Sequence, residues 1–318
     1  MDKYIYNVCA VIGASTIGYI GLQLASALRF HLHTSKLQRY HHGTEPWVLI
    51  TGASDGIGLA FVHAFASRGF NVILHGRNEA KLNKIISEQM KTQHQTTKFR
   101  TLVLDAGTPA DAEFDETVLA AVKDLNLTVV VHNVAGSGAP QVDMKLFSEM
   151  SREVCDGWID VNVRFTTHLT RLLLPVLARH QPSLMLFMSS AVTEITAPSV
   201  SLYTGAKNYI EGFAKCLKME VAQLAGNDIE IMSFTTGTVA TASSGRSEKD
   251  ISFTMPSTTT FVKAALDKVG VGAPSTKVTP YFPHWLQFGF MKMLPAWARD
   301  QMLLRMLKQV QDAVAKRE

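Results

Sequence analysis

Tyr203 and Lys207 stand at i and i+4 in Tyr203-Thr204-Gly205-Ala206-Lys207, a spacing that puts both side chains on one face of a helix. A free phenol, with a pKa of about 10, ionises too weakly for base chemistry near neutrality, and an adjacent ammonium favours its phenolate. The pair can therefore give a proton to a carbonyl oxygen in a reduction or remove one from an alcohol in an oxidation. Ser190, just after the apolar run Leu184 to Met188, places a hydroxyl where it can hold the same oxygen.

A second constellation supplies a place for a cofactor. Thr51-Gly52-Ala53-Ser54-Asp55-Gly56-Ile57-Gly58 lies between the short apolar run Trp47 to Thr51 and the helically spaced apolar residues from Ile57 to Phe65. Glycines in such a strand-to-helix turn permit its curvature and let backbone amides approach a pyrophosphate, while the helix N-terminus favours negative charge. The turn predicts a dinucleotide site built from Thr51, Gly52, Ser54, Asp55, Gly56, Ile57 and Gly58. The next apolar run ends in His75-Gly76-Arg77-Asn78, where an acid would accept from the hydroxyls of a free ribose and an arginine would attract a 2′-phosphate. Arg77 therefore favours NADP(H) over NAD(H), although an exposed arginine capping a loop is the plainer reading. Asp105, ending the following run, can accept from an adenine amino group, and an ordinary helix-initiating aspartate would look the same.

These residues must be held by a common frame. Trp47 to Thr51, Val72 to His75, Leu102 to Leu104, Val129 to Val131, Leu184 to Met188 and Ile229 to Phe234 are short apolar runs separated by helix-like segments. That alternation predicts an α/β fold, a doubly wound parallel Rossmann-like sheet with helices on both faces. Ligands bind beyond the carboxyl ends of such strands, where all the residues above fall. Residues 44 to 280 are expected to form one domain.

On these motifs the chain resembles the short-chain dehydrogenase/reductase family over roughly residues 46 to 242. The resemblance implies a cofactor turn at Thr51, Gly52, Gly56 and Gly58 and a catalytic tetrad of Asn162, Ser190, Tyr203 and Lys207. It further implies that Lys207 binds the nicotinamide ribose and that Asn162 sustains a water relay to the lysine. Three departures stand out. The family's Asn-Asn-Ala-Gly appears as His132-Asn133-Val134-Ala135-Gly136, with Asn133 as the match. The family's Pro-Gly appears as Thr236-Gly237, with Val239 and Thr241 still able to meet the cofactor. Asp55 occupies a site where many NADP-preferring relatives have a basic residue, so Arg77 carries the preference.

Tyr4 to Leu28 carries no charge, and at helical rise it reaches about 37 Å, enough to cross a hydrocarbon core of about 30 Å. Arg29, Lys36 and Arg39 follow it, whereas Lys3 is offset by Asp2, so the positive-inside rule puts the bulk of the chain in the cytosol. Residues 1 to 43 are thus expected to be a membrane anchor with a solvated basic flank that includes His31, His33, His41 and His42. A removable signal ending at Ala25-Ser26-Ala27 and a buried helix of a soluble protein are the rival readings.

Residues 238 to 257, rich in Ser and Thr, suit a mobile lid over the nicotinamide. Residues 281 to 318 form an extension in which Tyr281, Phe282, Trp285, Phe288, Phe290 and Trp297 gather in a stretch interrupted by Pro283 and Pro295. It is too short and too broken to span a bilayer and fits either an interfacial membrane contact or a packing or dimer contact. Leu303, Leu307, Val310 and Val314 mark one apolar face of a last helix.

The hydrophobic segment, the glycine turn and this tail resemble the membrane-associated branch of very-long-chain 3-oxoacyl-CoA reductases and 17-beta-hydroxysteroid dehydrogenases. The branch implies reduction of a ketone on a long acyl or sterol-like substrate, at the endoplasmic reticulum. An oxidoreductase of specialised metabolism and a non-catalytic membrane-bound scaffold are the alternatives. With 31 Lys and Arg against 27 Asp and Glu, no dense positive surface for nucleic acid is expected. Cys9, Cys155 and Cys216 lie too far apart in sequence for a closely spaced zinc motif, and no metal is expected.

Overall fold

A computed structural model describes residues 2–136, 146–195, 198–224, 226–273 and 275–315. Seven parallel strands form one sheet in the order β3-β2-β1-β4-β5-β6-β7. They are β1 (Pro46–Ile50), β2 (Asn71–Gly76), β3 (Phe99–Val103), β4 (Asn126–His132), β5 (Ser183–Ser190), β6 (Ile229–Thr236) and β7 (Lys277–Val278). The first six coincide with the apolar runs, and β7, with only two residues, has no such run to announce it.

The strands are apolar throughout because both faces are covered. Val48, Ile50, Val72 and Leu74 pack on one side against α2 (Gly56–Ala66) and α9 (Thr258–Leu266) through Phe61, Phe65, Phe261 and Leu266. Trp47, Leu49, Ile73 and Met185 pack on the other against α5 (Ala112–Val122), α7 (Phe165–Arg179) and α8 (Ser201–Val221). Between β1 and β2 lies the glycine turn. Between β2 and β3, α3 (Glu79–Ile85) runs through a π-turn into the short α4 (Lys91–Gln93). α6 (Arg152–Ile159) passes through a second π-turn, Asp160–Arg164, into α7. The order of strands reverses at β1, which opens a crevice between the carboxyl ends of β1 and β4.

α1 (Asp2–His31) is long and apolar enough to cross a membrane, and the apolar window within it is not buried at all. Its carboxyl end is tied to the sheet unit, where the Lys268 ammonium donates to the carbonyls of Phe30 at 3.2 Å and His31 at 2.7 Å. A lysine at this end also complements the helix dipole.

The basic flank is anchored to the sheet unit, with His42 partly buried and His41 exposed. Leu37 and Tyr40 are buried in the same core as α2 and α9, the Tyr40 hydroxyl donates to Glu230, and Arg39 pairs with Asp228. His41 and His42 meet the carbonyls of Gly69 and Pro182 through their Nε2 atoms. His31 lies 5.3 Å from the Phe282 ring.

Past β7 come α10 (Phe282–Met293) and α11 (Ala296–Ala315). Pro283 sits in the first turn of α10, where its missing N–H costs nothing, and Pro295 separates the two helices. The side chains of Leu307, Val310 and Val314 lie outside the described residues.

Two buried histidines make the fold acid-sensitive. Burial holds His75 down at about 4 and His132 down at about 3, the latter also through its proximity to His75. Both bases are neutral in the folded state and titrate near 6.5 when unfolded, so their contribution is complete above about 6.5 and is lost as pH falls towards about 4. Each can account for about 3 kcal/mol over that window. Urea unfolding of the detergent-solubilised chain is expected to lose stability steeply between pH 7 and pH 4, and His132→Gln should flatten that slope. An unchanged slope in the variant would remove His132 from the account.

Candidate active site

The turn after β1 is shaped by contacts that only glycine tolerates. Gly52 and Gly56 take positive φ values of 63° and 53°. A Cβ on Gly58 would collide with the carbonyl of Gly52 and come within 2.7 Å of the Asn133 amide nitrogen. Thr51, fully buried, accepts from the backbone amides of Asn133 at 2.8 Å and Val134 at 3.0 Å. The Asn133 side chain donates in turn to the Thr51 carbonyl at 3.0 Å. Asn133 thus locks β1 to β4, while His132 faces the core, stacked on Phe187 at 4.7 Å.

Two cavities meet at this turn and form one cleft along the carboxyl edge. One, of about 320 Å³, is lined by Gly52, Asp55, Gly56, Ile57, Asn133, Tyr203, Lys207 and Thr241. The other, of about 220 Å³, is lined by Gly52, Ser54, Arg77 and Asp105. They share Gly52, Val134 and Ala135. The expected cofactor residues therefore separate into an Arg77 end and a Tyr203 end on either side of the turn. Thr51 and Gly58 lie behind the lining as packing residues, as do Val239 and Gly237.

Asp55 caps α2 by accepting from Gly56 at 2.7 Å and pairs with Lys81 at 3.3 Å. The acid that stood against an NADP preference is thereby partly neutralised by a lysine from α3. Asp105 accepts from the amide of Gly107 at 2.9 Å, stabilising its own turn.

α8 carries both Tyr203 and Lys207. Lys207 is buried, and its ammonium donates to the Met188 carbonyl of β5 at 2.8 Å. Burial pulls its pKa down to about 8. Burial also pushes the Tyr203 hydroxyl up, with a hydrogen bond from Ser190 acting the other way. The ammonium is 5.8 Å from the centre of the Tyr203 ring. The expected cationic neighbour is in place, and burial is the largest influence on the phenol, acting against its ionisation. Ser190 ends β5 and caps the turn that follows.

Asn162 sits within the π-turn, where the Phe165 amide reaches the Asp160 carbonyl. Its amide donates to the carbonyls of Gly136 at 2.7 Å and Trp158 at 2.8 Å. The side chain thus braces the segment after β4. π-turns of this kind recur at functional sites.

Several residues with no local motif complete the site. Glu211, two turns beyond Tyr203 on α8, accepts from Ser189 at 2.7 Å and Thr193 at 2.6 Å and pairs with Lys277 of β7 at 2.6 Å. Lys277 also reaches Glu194 at 2.8 Å, and Glu194 pairs with Lys292 of α10. Burial pushes the Glu194 carboxyl up, but the two lysines bring it below the usual range. The i+8 position of an acid relative to Tyr203 was the one sequence signal available for this network.

The short chain dehydrogenase family matches residues 46–252. The chain belongs to that family. It is 27% identical over 320 residues to the very-long-chain 3-oxoacyl-CoA reductase of Mus musculus, covering 96% of this chain and 95% of the relative. It is also 27% identical over 251 residues to the inactive hydroxysteroid dehydrogenase-like protein 1 of Homo sapiens, covering 79% of this chain and 73% of that one. Among solved structures, a short chain dehydrogenase of Shigella flexneri complexed with NADP is 26% identical, with a TM-score of 0.61. The match covers 70% of this chain and 90% of that one.

Gly58→Ala tests the turn. Forcing a methyl against the Gly52 carbonyl typically costs about 1–3 kcal/mol. The variant is expected to melt several degrees lower and to bind dinucleotide at least about tenfold more weakly. Wild-type values for both would mean that the turn yields without consequence.

Proposed function

We propose that the chain is a membrane-anchored, NADPH-dependent reductase of a ketone on a hydrophobic substrate, of the very-long-chain 3-oxoacyl-CoA or steroid-like class. The observation that carries this reading is Tyr203 and the buried Lys207 on one helix, both lining the cleft that the glycine turn opens. The fit to a dinucleotide rests on that turn, where side chains would fill the space that backbone amides need. Gly52, Gly56 and Ile57 would hold the pyrophosphate, Arg77 and Asp105 the adenosine end, and Asn133, Lys207 and Thr241 the nicotinamide end. A bound reduced nicotinamide supplies hydride to the substrate's carbonyl carbon.

The protein's own part is to hold the oxygen and deliver a proton. Tyr203 donates its hydroxyl proton to the carbonyl oxygen as negative charge develops there. Ser190 steadies the same oxygen. The ammonium of Lys207 stabilises the phenolate left behind, so that the adverse charge on a buried oxygen exists only beside a cation. Burial favours the protonated phenol before reaction, which suits a general acid. Asn162 holds the Gly136 segment and is assigned the support of a water path towards Lys207. The intact Tyr203–Lys207 pair favours this reading over that of an inactive scaffold.

We assign α1 as the anchor, in the endoplasmic reticulum with the catalytic unit on the cytosolic side. A second contact with the same lipid surface is assigned to α10. Its exposed residues Phe282, Leu286, Phe290 and Met293 form one apolar row, next to the end of α1 where His31 meets Phe282 and Trp285. Such a row suits a headgroup boundary.

Tyr203→Phe is expected to lower kcat at least about a hundredfold while leaving the Kd for NADPH within about twofold, and near-normal turnover would reject the assignment. Arg77→Glu is expected to raise the KM for NADPH at least about tenfold more than that for NADH, since an acid repels the 2′-phosphate alone. Equal effects on the two cofactors, measured by initial rates, would remove Arg77 from phosphate recognition.

A further inference from the structure

His284 lies in the first turn of α10, fully buried, between the Tyr281 ring at 5.0 Å and the Phe288 ring at 5.9 Å. Both of its ring nitrogens are engaged by the loop that follows β6. The amide of Gly237 donates to Nδ1 at 3.1 Å, so Nδ1 is the unprotonated nitrogen and Nε2 carries the hydrogen. Nε2–H donates to the carbonyl of Thr254 at 3.2 Å. These two partners are the outgoing and returning limbs of one loop. A Cβ on Gly237 would stand only 2.8 Å from the ring, so the glycine is what lets the imidazole seat against the backbone.

The loop so gripped leads straight to the cleft. From Gly237 it runs to Thr241, which caps the turn Ala242–Ser244, and Thr241 and Ser243 both line the Tyr203 end of the cavity. Nearby, the Tyr281 hydroxyl donates to the Phe253 carbonyl at 3.1 Å, and an isolated bridge joins Ala240 to Ser257. The loop expected to be a mobile lid is therefore held at its foot. The hold comes from α10, an element outside the stretch that the family covers. Nothing in Tyr203 or Lys207 chemistry uses this histidine. Its burial favours the neutral form, the form that can accept from one limb while donating to the other.

We propose that His284 is a positioning residue: a neutral imidazole that clasps the two limbs of the 237–257 loop, sets Thr241 and Ser243 at the cleft, and makes cofactor affinity depend on the docking of α10. The second half of this inference rests on the cleft being the dinucleotide site. The first half does not.

The test uses the full chain in detergent micelles and two readouts. One is the rate of tryptic nicking at Arg246 and Lys249, both exposed in the loop, which needs no cofactor. The other is the Kd for NADPH from quenching of intrinsic fluorescence. His284→Ala removes both bonds and is expected to raise the nicking rate and the Kd each by about tenfold, the equivalent of roughly 1.4 kcal/mol. His284→Asn places an amide oxygen where Nδ1 stands and retains the Gly237 bond; it should bring the Kd back to within about threefold of wild type. His284→Gln places an amide nitrogen where Nε2 stands and retains only the Thr254 bond, so its Kd should stay close to that of His284→Ala. An unchanged nicking rate in His284→Ala overturns the clasp, and faster nicking with unchanged Kd overturns its role in setting the cleft. Failure of the wild-type chain to bind NADPH, with the nicking pattern as expected, would instead count against the cofactor reading. If His284→Ala does not fold, the polar pair decides. The clasp requires both to nick faster than wild type with Asn the tighter NADPH binder, and wild-type behaviour of both overturns it.

Discussion

The site depends on an ammonium kept out of water. Lys207 is held inside the molecule by one short bond to a strand carbonyl, that of Met188. A buried charge of this kind is tolerated only where backbone dipoles or opposite charges are fixed around it. The helix that carries it must therefore cross the end of β5 at one height, and the sheet must be stiff enough to keep the carbonyl there. The apolar strands packed on both faces supply that stiffness. Tyr203, one turn earlier on the same helix, then inherits its location from the lysine.

The polar residues behind the cleft extend this constraint outward. Glu211 takes hydrogen bonds from Ser189 and Thr193 and an ion pair from Lys277, so the end of β5, the turn after Ser190 and the last strand are joined through one carboxylate. Glu194 continues the chain of contacts to Lys292 on α10. Partly buried and multiply bonded groups of this kind are worth more together than as separate surface pairs. α10 is thus joined to the turn that follows Ser190.

What could be read from the sequence was what is local. The glycine turn, the Tyr203–Lys207 spacing and six strands declare themselves within a few residues of chain, because period and turn chemistry act at that range. The pairing of His284 with Gly237, 47 residues apart, has no such signature. Nor has β7, whose two residues are a strand only because β6 lies beside them. The depth at which Tyr203 lies has none either. Neighbouring charge is visible in the sequence, whereas depth of burial is a property of the assembled fold. His41 and His42 looked like flank residues because the carbonyls they meet belong to distant turns.

The stretch between α1 and β1, with its short 3-10 turn Leu37–Tyr40, has a practical side. Leu37 and Tyr40 are plugs in the main core, and Tyr40 supplies a hydrogen to the Glu230 carboxylate, which also receives the amide of Gly270. A version of the chain trimmed to the family match would leave two holes in its floor and an acid stripped of its phenol partner. Trimming instead just after α1, ahead of Ser35 with its bond to the Leu266 carbonyl, would discard the greasy helix and keep both plugs, while removing the Phe30 and His31 carbonyls that Lys268 meets.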